Sequence, residues 1–404
     1  MANVYPFSAW LPAARDAEVI SSLPYDVMSR QEARKMAEGN PFSFLRVTCA
    51  DLEFGDEVSS YDDAVYLRAR DNWQKLTEYE RLLTRDAAPS YYVYSQVMDG
   101  RRQSGIVACA SVADYKAGVV RRHELTRQAK EDDRTRHILT TAAQTGPVFL
   151  AYRDSDTLVE IMNETMASQA PLFDFNAEDG IRHAGWQIPA SQNDAVASAF
   201  DAIPILYIAD GHHRAASAAR VYDMLHGSGE SDRFLAVIFP QSQLRILAYN
   251  RVLHGLNGMD STQFLERLRS VGTLVDNAPA TPRRAGEVSL YIGGKWHGLA
   301  FARRHPEDPI ADLDVSLLQE QVLAPMLGID DPRTSKLIDF VGGIRGTAEL
   351  ERLVDGGECV AAFSMHPTSL EQLMRVADAN GIMPPKSTWF EPKLRDGLFT
   401  HSLN

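Results

Sequence analysis

Apolar residues recur at helical spacing over residues 59–86 (Ala64, Leu67, Trp73, Leu76, Tyr79, Leu82), which predicts one long helix. Tyr91–Met98 then alternates β-branched and aromatic residues, and Ile106–Val112 is a second strand-like run. Asp99-Gly100 between them predicts a hairpin. Residues 1–50 read as short strands and loops through Val19-Ile20 and Ser22–Asp26, then a helix over Arg30–Glu38. Pro24 and Pro41 interrupt any longer element. Thr126–Thr141 is helical and heavily charged, Val148–Tyr152 a buried strand, and Ala195–Ala202 a helix. Ile203–Ala209 is a short apolar strand that runs into Asp210-Gly211-His212-His213-Arg214 and a small-residue helix, Ala215–Leu225. Phe234–Phe239 is another buried strand, and beyond about residue 256 helices and strands alternate to the end. This interleaving predicts an α/β (α+β) fold.

Composition narrows the function classes. The chain has 404 residues, 45% hydrophobic and 24% charged, which is globular composition with enough length for two or three domains. Its net charge of −13 argues against generic binding to nucleic acid or to an anionic membrane, because both require a positive field. Three scattered cysteines, Cys49, Cys109 and Cys359, form no disulfide framework and no CxxC zinc pattern, and read as small buried thiols. The N-terminus lacks a basic region followed by an apolar run, and no stretch approaches the ~20 apolar residues of a spanning helix. The expectation is a soluble cytoplasmic protein.

The charge is uneven. Residues 116–136 carry seven basic residues against four acidic ones. Within this island lie Arg121-Arg122-His123-Glu124-Leu125-Thr126, then Arg127, Lys130, Arg134 and His137 at spacings that share one helix face. Glu124, between His123 and Thr126 and just before a cationic face, suits a base acting beside an anionic substrate. The bland alternative is a solvated, salt-bridged helix.

The segment 205–225 is the most informative. A strand, a tight turn and a helix place backbone N–H groups and the positive helix end at one point. Gly211 permits the turn and a close ligand approach. His212, His213 and Arg214 add donors, and Arg214 can grip a phosphate with two N–H groups. Asp210 sits where a carboxylate could hold a metal ion or take a proton. A third cluster, Tyr25-Asp26 with Asn40–Arg46, is expected at the same cleft. Neither a GxxxxGK[ST] loop nor GxGxxG, HExxH or GxSxG is present. His123, Glu124, His212 and His213 lack helical i, i+4 pairing, which weighs against a zinc hydrolase.

The blocks SLPYDVMS, NPFSFLRV, GIVACASVADY, VVRRHELTRQAKEDDRTRHI, TGPVFLAY, IADGHHRAASA, AYNRVL and MPPKSTWFEPKLRDGL occur in an order that resembles the DUF1015 family, from about residue 5 to 399. The family is similar to the ParB/sulfiredoxin superfamily, which includes free L-serine kinases making O-phosphoserine from ADP or ATP. The resemblance implies a ParB/sulfiredoxin-like core over residues 90–255, an N-terminal elaboration over 1–89 and a C-terminal α/β region over 256–404. It implies that the turn Asp210–Arg214 holds the transferred phosphate and that Glu124 deprotonates the acceptor hydroxyl. His123, Thr126, Arg127, Lys130, Arg134, Tyr25 and Asp26 would complete the site. This chain departs from the family pattern at Leu23, where a second proline is usual, and at Ser95, where arginine is common.

The expected protein is therefore a small-molecule kinase for free L-serine. Its donor is ADP, ATP or pyrophosphate, with Mg²⁺ as cofactor, and a homodimer is left open. The alternatives are a nucleotide-binding ParB-like regulatory protein and a phosphate-ester hydrolase.

Overall fold

The computed structural model describes residues 1–302 and 305–404, in two compact units: Met1–Leu244 with Pro392–Asn404, and Arg245–Glu391. This division differs from the three segments expected above. Residues 1–89 share a unit with the strands that follow them, and the last residues of the chain return to that same unit.

The first unit carries twelve labelled strands: β1 Val4–Tyr5, β2 Trp10–Pro12, β3 Leu83–Arg85, β4 Tyr92–Met98, β5 Arg101–Ser111, β6 Val120–Arg121, β7 Ala143–Gln144, β8 Val148–Tyr152, β9 Phe173–Asn176, β10 Arg182–Gln187, β11 Leu206–Asp210 and β12 Arg233–Pro240. Its helices are α1 Ala17–Ile20, α2 Arg30–Met36, α3 Leu45–Thr48, α4 Asp63–Gln74, α5 Val112–Ala117, α6 Gln128–Thr141, α7 Asp156–Ser168, α8 Asn193–Asp201 and α9 His212–Leu225. Nine of these strands form a mixed sheet in the order β6-β11-β8-β12-β5-β4-β10-β9, with β1 also against β5, while β2 pairs with β3 and β7 lies outside it. The pairs β6/β11 and β8/β12 are parallel, and the other pairs in this sheet are antiparallel.

The apolar runs become central strands. All five residues of β8 are buried, as are seven of the eight in β12, which is why neither alternates with polar residues. The hairpin forms as expected: Asp99 and Gly100 both take positive φ (52° and 75°), and Met98 pairs directly with Arg101. On α9, Ala215, Ala216, Ser217, Ala218 and Ala219 are all buried, so short side chains let this helix pack closely on its neighbours.

Two expectations need correction. The helix over 59–86 is shorter: α4 passes into a wider helical turn, Lys75–Tyr79, and the chain reverses through Arg81 at φ 52°. Leu83–Arg85 then pairs with Trp10–Pro12, and strand pairing outcompetes the helical pattern there. Val19-Ile20 belongs to α1, a single helical turn that buries Ala17 and Ile20.

The chain end matters for the site. Asp396 pairs with Ser22, Thr400 with Trp10, and His401–Ser402 with β7. The second unit is an antiparallel sheet of Gly272–Asp276, Lys295–Phe301, Glu287–Ile292, Ala361–Met365, Tyr249–Leu253 and Ile338–Gly342, in that spatial order. Val252, Tyr291, Val341 and Leu350 form part of its core. No described helix is long and apolar enough to cross a membrane. The three cysteines are free; Cys109 and Cys359 are buried and Cys49 is half-buried.

Candidate functional site

The register of β6 against β11 explains why two distant segments meet. Val120 pairs with Leu206 and Arg121 with Tyr207, so the chain after Arg121 runs beside the chain entering Asp210. Gly211 then turns at φ 91°, and α9 starts at His212, three residues earlier than its apolar pattern suggests. A Cβ at Gly211 would lie 3.0 Å from Arg214 Nε in a conformation L residues rarely adopt. The first N–H groups of α9 emerge at this turn without intrahelical acceptors, as at any helix start.

The histidines are held by backbone. The His123 N–H donates to His212 Nε2 (3.4 Å), and the Arg127 N–H donates to His213 Nε2 (3.0 Å). A neutral His212 ring that accepts at Nε2 carries its proton on Nδ1. That Nδ1 lies 3.9 Å from Glu124 Oε2, and the Glu124 side chain is half exposed. The His123 and His212 rings meet edge to face, 4.5 Å between centroids. Burial pushes His123 down to about 4 and His212 well below the usual imidazole range, and lowers His213 as well. These rings are neutral near pH 7, so the positive charge at the turn comes from arginine and lysine.

Asp210 and Arg214 are the charged pivots. Asp210 Oδ1 accepts from the Gly211 N–H at 2.8 Å, and Oδ2 from Lys393 Nζ at 3.3 Å. Burial works against its charge, but Lys393 and Arg214 hold the carboxyl far below the usual carboxylate range. Arg214 is buried; it donates to the Pro147 carbonyl and places Nη2 3.7 Å from Asp26 Oδ2, while its Nε has no hydrogen-bond partner among the described residues. Beside it a cleft is lined by Tyr25, Arg134, His137, Gly146, Arg214 and Asp396. The Arg134 guanidinium lies over the Tyr25 ring at 4.1 Å and donates to Asp133 at 2.9 Å. A larger cavity of about 390 Å³ shares Tyr25, Arg134 and His137 with this cleft and adds Lys130, Asp51 and Tyr66.

The structure thus gathers His123, Glu124, Asp210, Gly211, His212, His213 and Arg214 around one turn, with Asp26, Tyr25 and Arg134 on the Arg214 side. The expected cationic face of α6 does not form as such. Arg127 precedes the helix and is exposed, Arg134 is engaged with Asp133, and His137 is buried with Nε2 2.9 Å from the Val47 carbonyl. The Thr126 hydroxyl is taken up by the Glu131 carboxylate.

Lys393 and Asp396 carry no role in the sequence reading. They reach the site only through the returning chain end, and the one signal was the charged cluster Lys393–Asp396 ahead of Gly397, inside a block that resembles the family. Among the described residues no three His, Cys, Asp or Glu side chains gather as a metal cage. A Mg²⁺ ion here would rest on Asp210 and on phosphate oxygens, the usual habit of this ion.

Solved structures with a similar path share little sequence. A free serine kinase in complex with AMP is 14% identical, covering 70% of this chain and 86% of its own, with a TM-score of 0.36. A conserved hypothetical protein from Pyrococcus furiosus is 15% identical over 74% and 95%, at 0.37. SbnI from Staphylococcus aureus, truncated at its C-terminus, is 12% identical over 72% and 85%, at 0.38. No curated protein sequence matches the chain. The model of a family of unknown function, DUF1015, matches residues 4–316, and the chain belongs to that family.

Proposed function

We propose that the protein is a phosphotransferase that moves a phosphoryl group to the hydroxyl of a small molecule. The observation that carries this reading is the start of α9: open helix N–H groups, the Arg214 guanidinium and neutral imidazoles stand beside two carboxylates of different character, Asp210 and Glu124. Phosphoryl transfer needs positioning, charge neutralisation and a group that orients the nucleophile. The helix end and Arg214 supply the first two. Free L-serine as acceptor and ADP or ATP as donor follow from the sequence resemblance, with pyrophosphate as a further candidate donor.

In this reading the acceptor oxygen attacks phosphorus, the bond to the donor's bridging oxygen breaks, and that oxygen keeps the electron pair. The hydroxyl proton passes to a carboxylate. Glu124 is the one expected from sequence, and His212 Nδ1–H faces it from the buried side; Asp396 is a buried alternative. Mg²⁺, held by Asp210 and the donor, would neutralise charge on the phosphates.

Incubation with L-serine, Mg²⁺ and each donor in turn, followed by ³¹P NMR, should give phosphoserine. Arg214→Lys keeps one charge but loses the two-pronged grip, and should weaken donor binding by about tenfold or more. Absence of product with every donor overturns the kinase reading. Phosphate release without an acceptor points instead to a phosphate-ester hydrolase.

A further inference from the structure

Asp396 is a buried carboxyl with no assigned task. It is 1% exposed, and its Oδ1 has no hydrogen-bond partner among the described residues. Its backbone is clamped to Ser22 in both directions, N–H to carbonyl at 2.9 and 3.1 Å, which fixes the position from which the side chain projects. Gly146 makes room for it: a Cβ there would stand 2.7 Å from Asp396 Oδ1. The carboxyl lines the cleft that also holds Arg214, Arg134 and Tyr25. Arg214 lines the same cleft, and its buried Nε is likewise without a partner among the described residues. The Arg214 and Asp396 side chains thus line one narrow space, and each carries a buried polar atom, an arginine donor and a carboxyl oxygen, with no hydrogen-bond partner among the described residues. Leaving such groups unmade in a folded interior costs free energy unless something binds there.

Resting on the phosphotransferase reading, we propose that Asp396 is the residue that takes the acceptor's hydroxyl proton, while Arg214 holds the phosphate across the cleft. The acceptor O–H bond breaks toward Asp396 Oδ1, the new O–P bond forms, and the donor's bridging oxygen leaves with its electron pair. Glu124 then acts through His212, fixing the ring that frames the helix end.

The electrostatics agree with the geometry. Burial raises the Asp396 carboxyl to about 8, opposed by Arg214, Arg134 and Arg395 and reinforced by Asp26. Tyr94, Cys49, Tyr25 and His137 are the other titratable groups around it; burial holds the first three protonated and His137 neutral at pH 7. Asp210 is driven the opposite way, and carboxyls with diverging environments mark an acid–base division of labour. A proton acceptor works best with a pKa near the working pH.

The test has two arms. In the first, phosphoserine formation by the wild-type protein should rise with pH through about 8. Asp396→Asn should lower kcat at least 100-fold with donor affinity within threefold, and Glu124→Gln should slow the reaction while keeping the limb near pH 8. Full activity in Asp396→Asn, or loss of the limb only in Glu124→Gln, overturns the proposal. The second arm needs no turnover, so it stands apart from the kinase reading. ¹³C NMR of carboxyl-labelled aspartate, assigned by difference with Asp396→Asn, should show one carboxyl titrating near pH 8. A carboxyl already ionised at pH 6 overturns the proposal even if phosphoserine forms. Absence of phosphoserine beside a titration near pH 8 overturns the kinase reading and, with it, the assigned proton transfer.

Discussion

Lys393 Nζ reaches Asp210 Oδ2 at 3.3 Å across 183 positions of sequence. The contact ties the returning chain end to the strand that opens into the histidine-rich turn. Both side chains are largely shielded, 13% and 29% exposed, so the pair is screened less than a surface ion pair. Lys393→Met should lower the stability to urea by roughly 1–3 kcal/mol, the cost of a half-buried charge without its partner. Adding Asp210→Asn should recover part of that loss. A double-mutant cycle reads the coupling, and a value near zero would show that the two groups do not stabilise one another.

The buried imidazoles predict acid sensitivity of defined sign. His123 falls to about 4 in the fold, and His212 and His213 are lowered too, whereas the unfolded chain keeps ordinary imidazoles. The unfolded state then binds protons first, so the contribution is intact above about pH 6.5 and is lost as pH falls toward 4. Urea midpoints measured from pH 7 to 4 should drop. In His123→Leu the drop should be shallower, because one of the buried titrating rings is gone. Parallel pH curves for the two proteins would contradict a neutral, buried His123.

Asp396 predicts the reverse. Its carboxyl titrates at about 8 in the fold and near 4 when unfolded, so the folded state holds the extra proton. Stability from this group is complete below about pH 4 and declines as pH rises through 8. Asp396→Asn should match the wild type near pH 4 and exceed it at pH 9, by on the order of a few kcal/mol. Crossing urea-midpoint curves would be the signature. An asparagine variant that is less stable at pH 9 would mean that the carboxylate is better accommodated than its burial implies.

Much of this site was legible because its parts are local. A strand, a glycine turn and a helix appear in order in Leu206–Leu225, and Glu124 stands out beside two histidine-bearing segments. What brings them together, the parallel register of Val120 on Leu206, has no mark in either segment. Strand edges pair by sheet order, and sheet order is a property of the whole chain. The charged residues of α6 were visible, but their targets were not. Arg134 turns to Asp133 and Tyr25 rather than to the turn, since a long side chain follows its nearest partners and not the helical wheel. Lys393 and Asp396 were hidden for a similar reason: the pattern of alternating helices and strands to the chain end singles out neither residue, and only the pairing of this segment with Ser22, Trp10 and β7 makes it part of the site.

Gly211 offers the sharpest separation of backbone strain from site chemistry. Its φ of 91° and the 3.0 Å approach to Arg214 Nε mean that Gly211→Ala meets both a left-handed penalty and a displaced guanidinium. The penalty alone is roughly 1–2 kcal/mol for an L residue. Gly118, which ends α5 at φ 77°, carries the same kind of strain but has open space around it. Gly118→Ala should therefore lose similar stability while binding pyrophosphate as the wild type does. Gly211→Ala should bind it at least tenfold more weakly by calorimetry, because the helix N–H groups and Arg214 are both moved. Equal binding by the two variants would mean that the start of α9 is not where the anion sits.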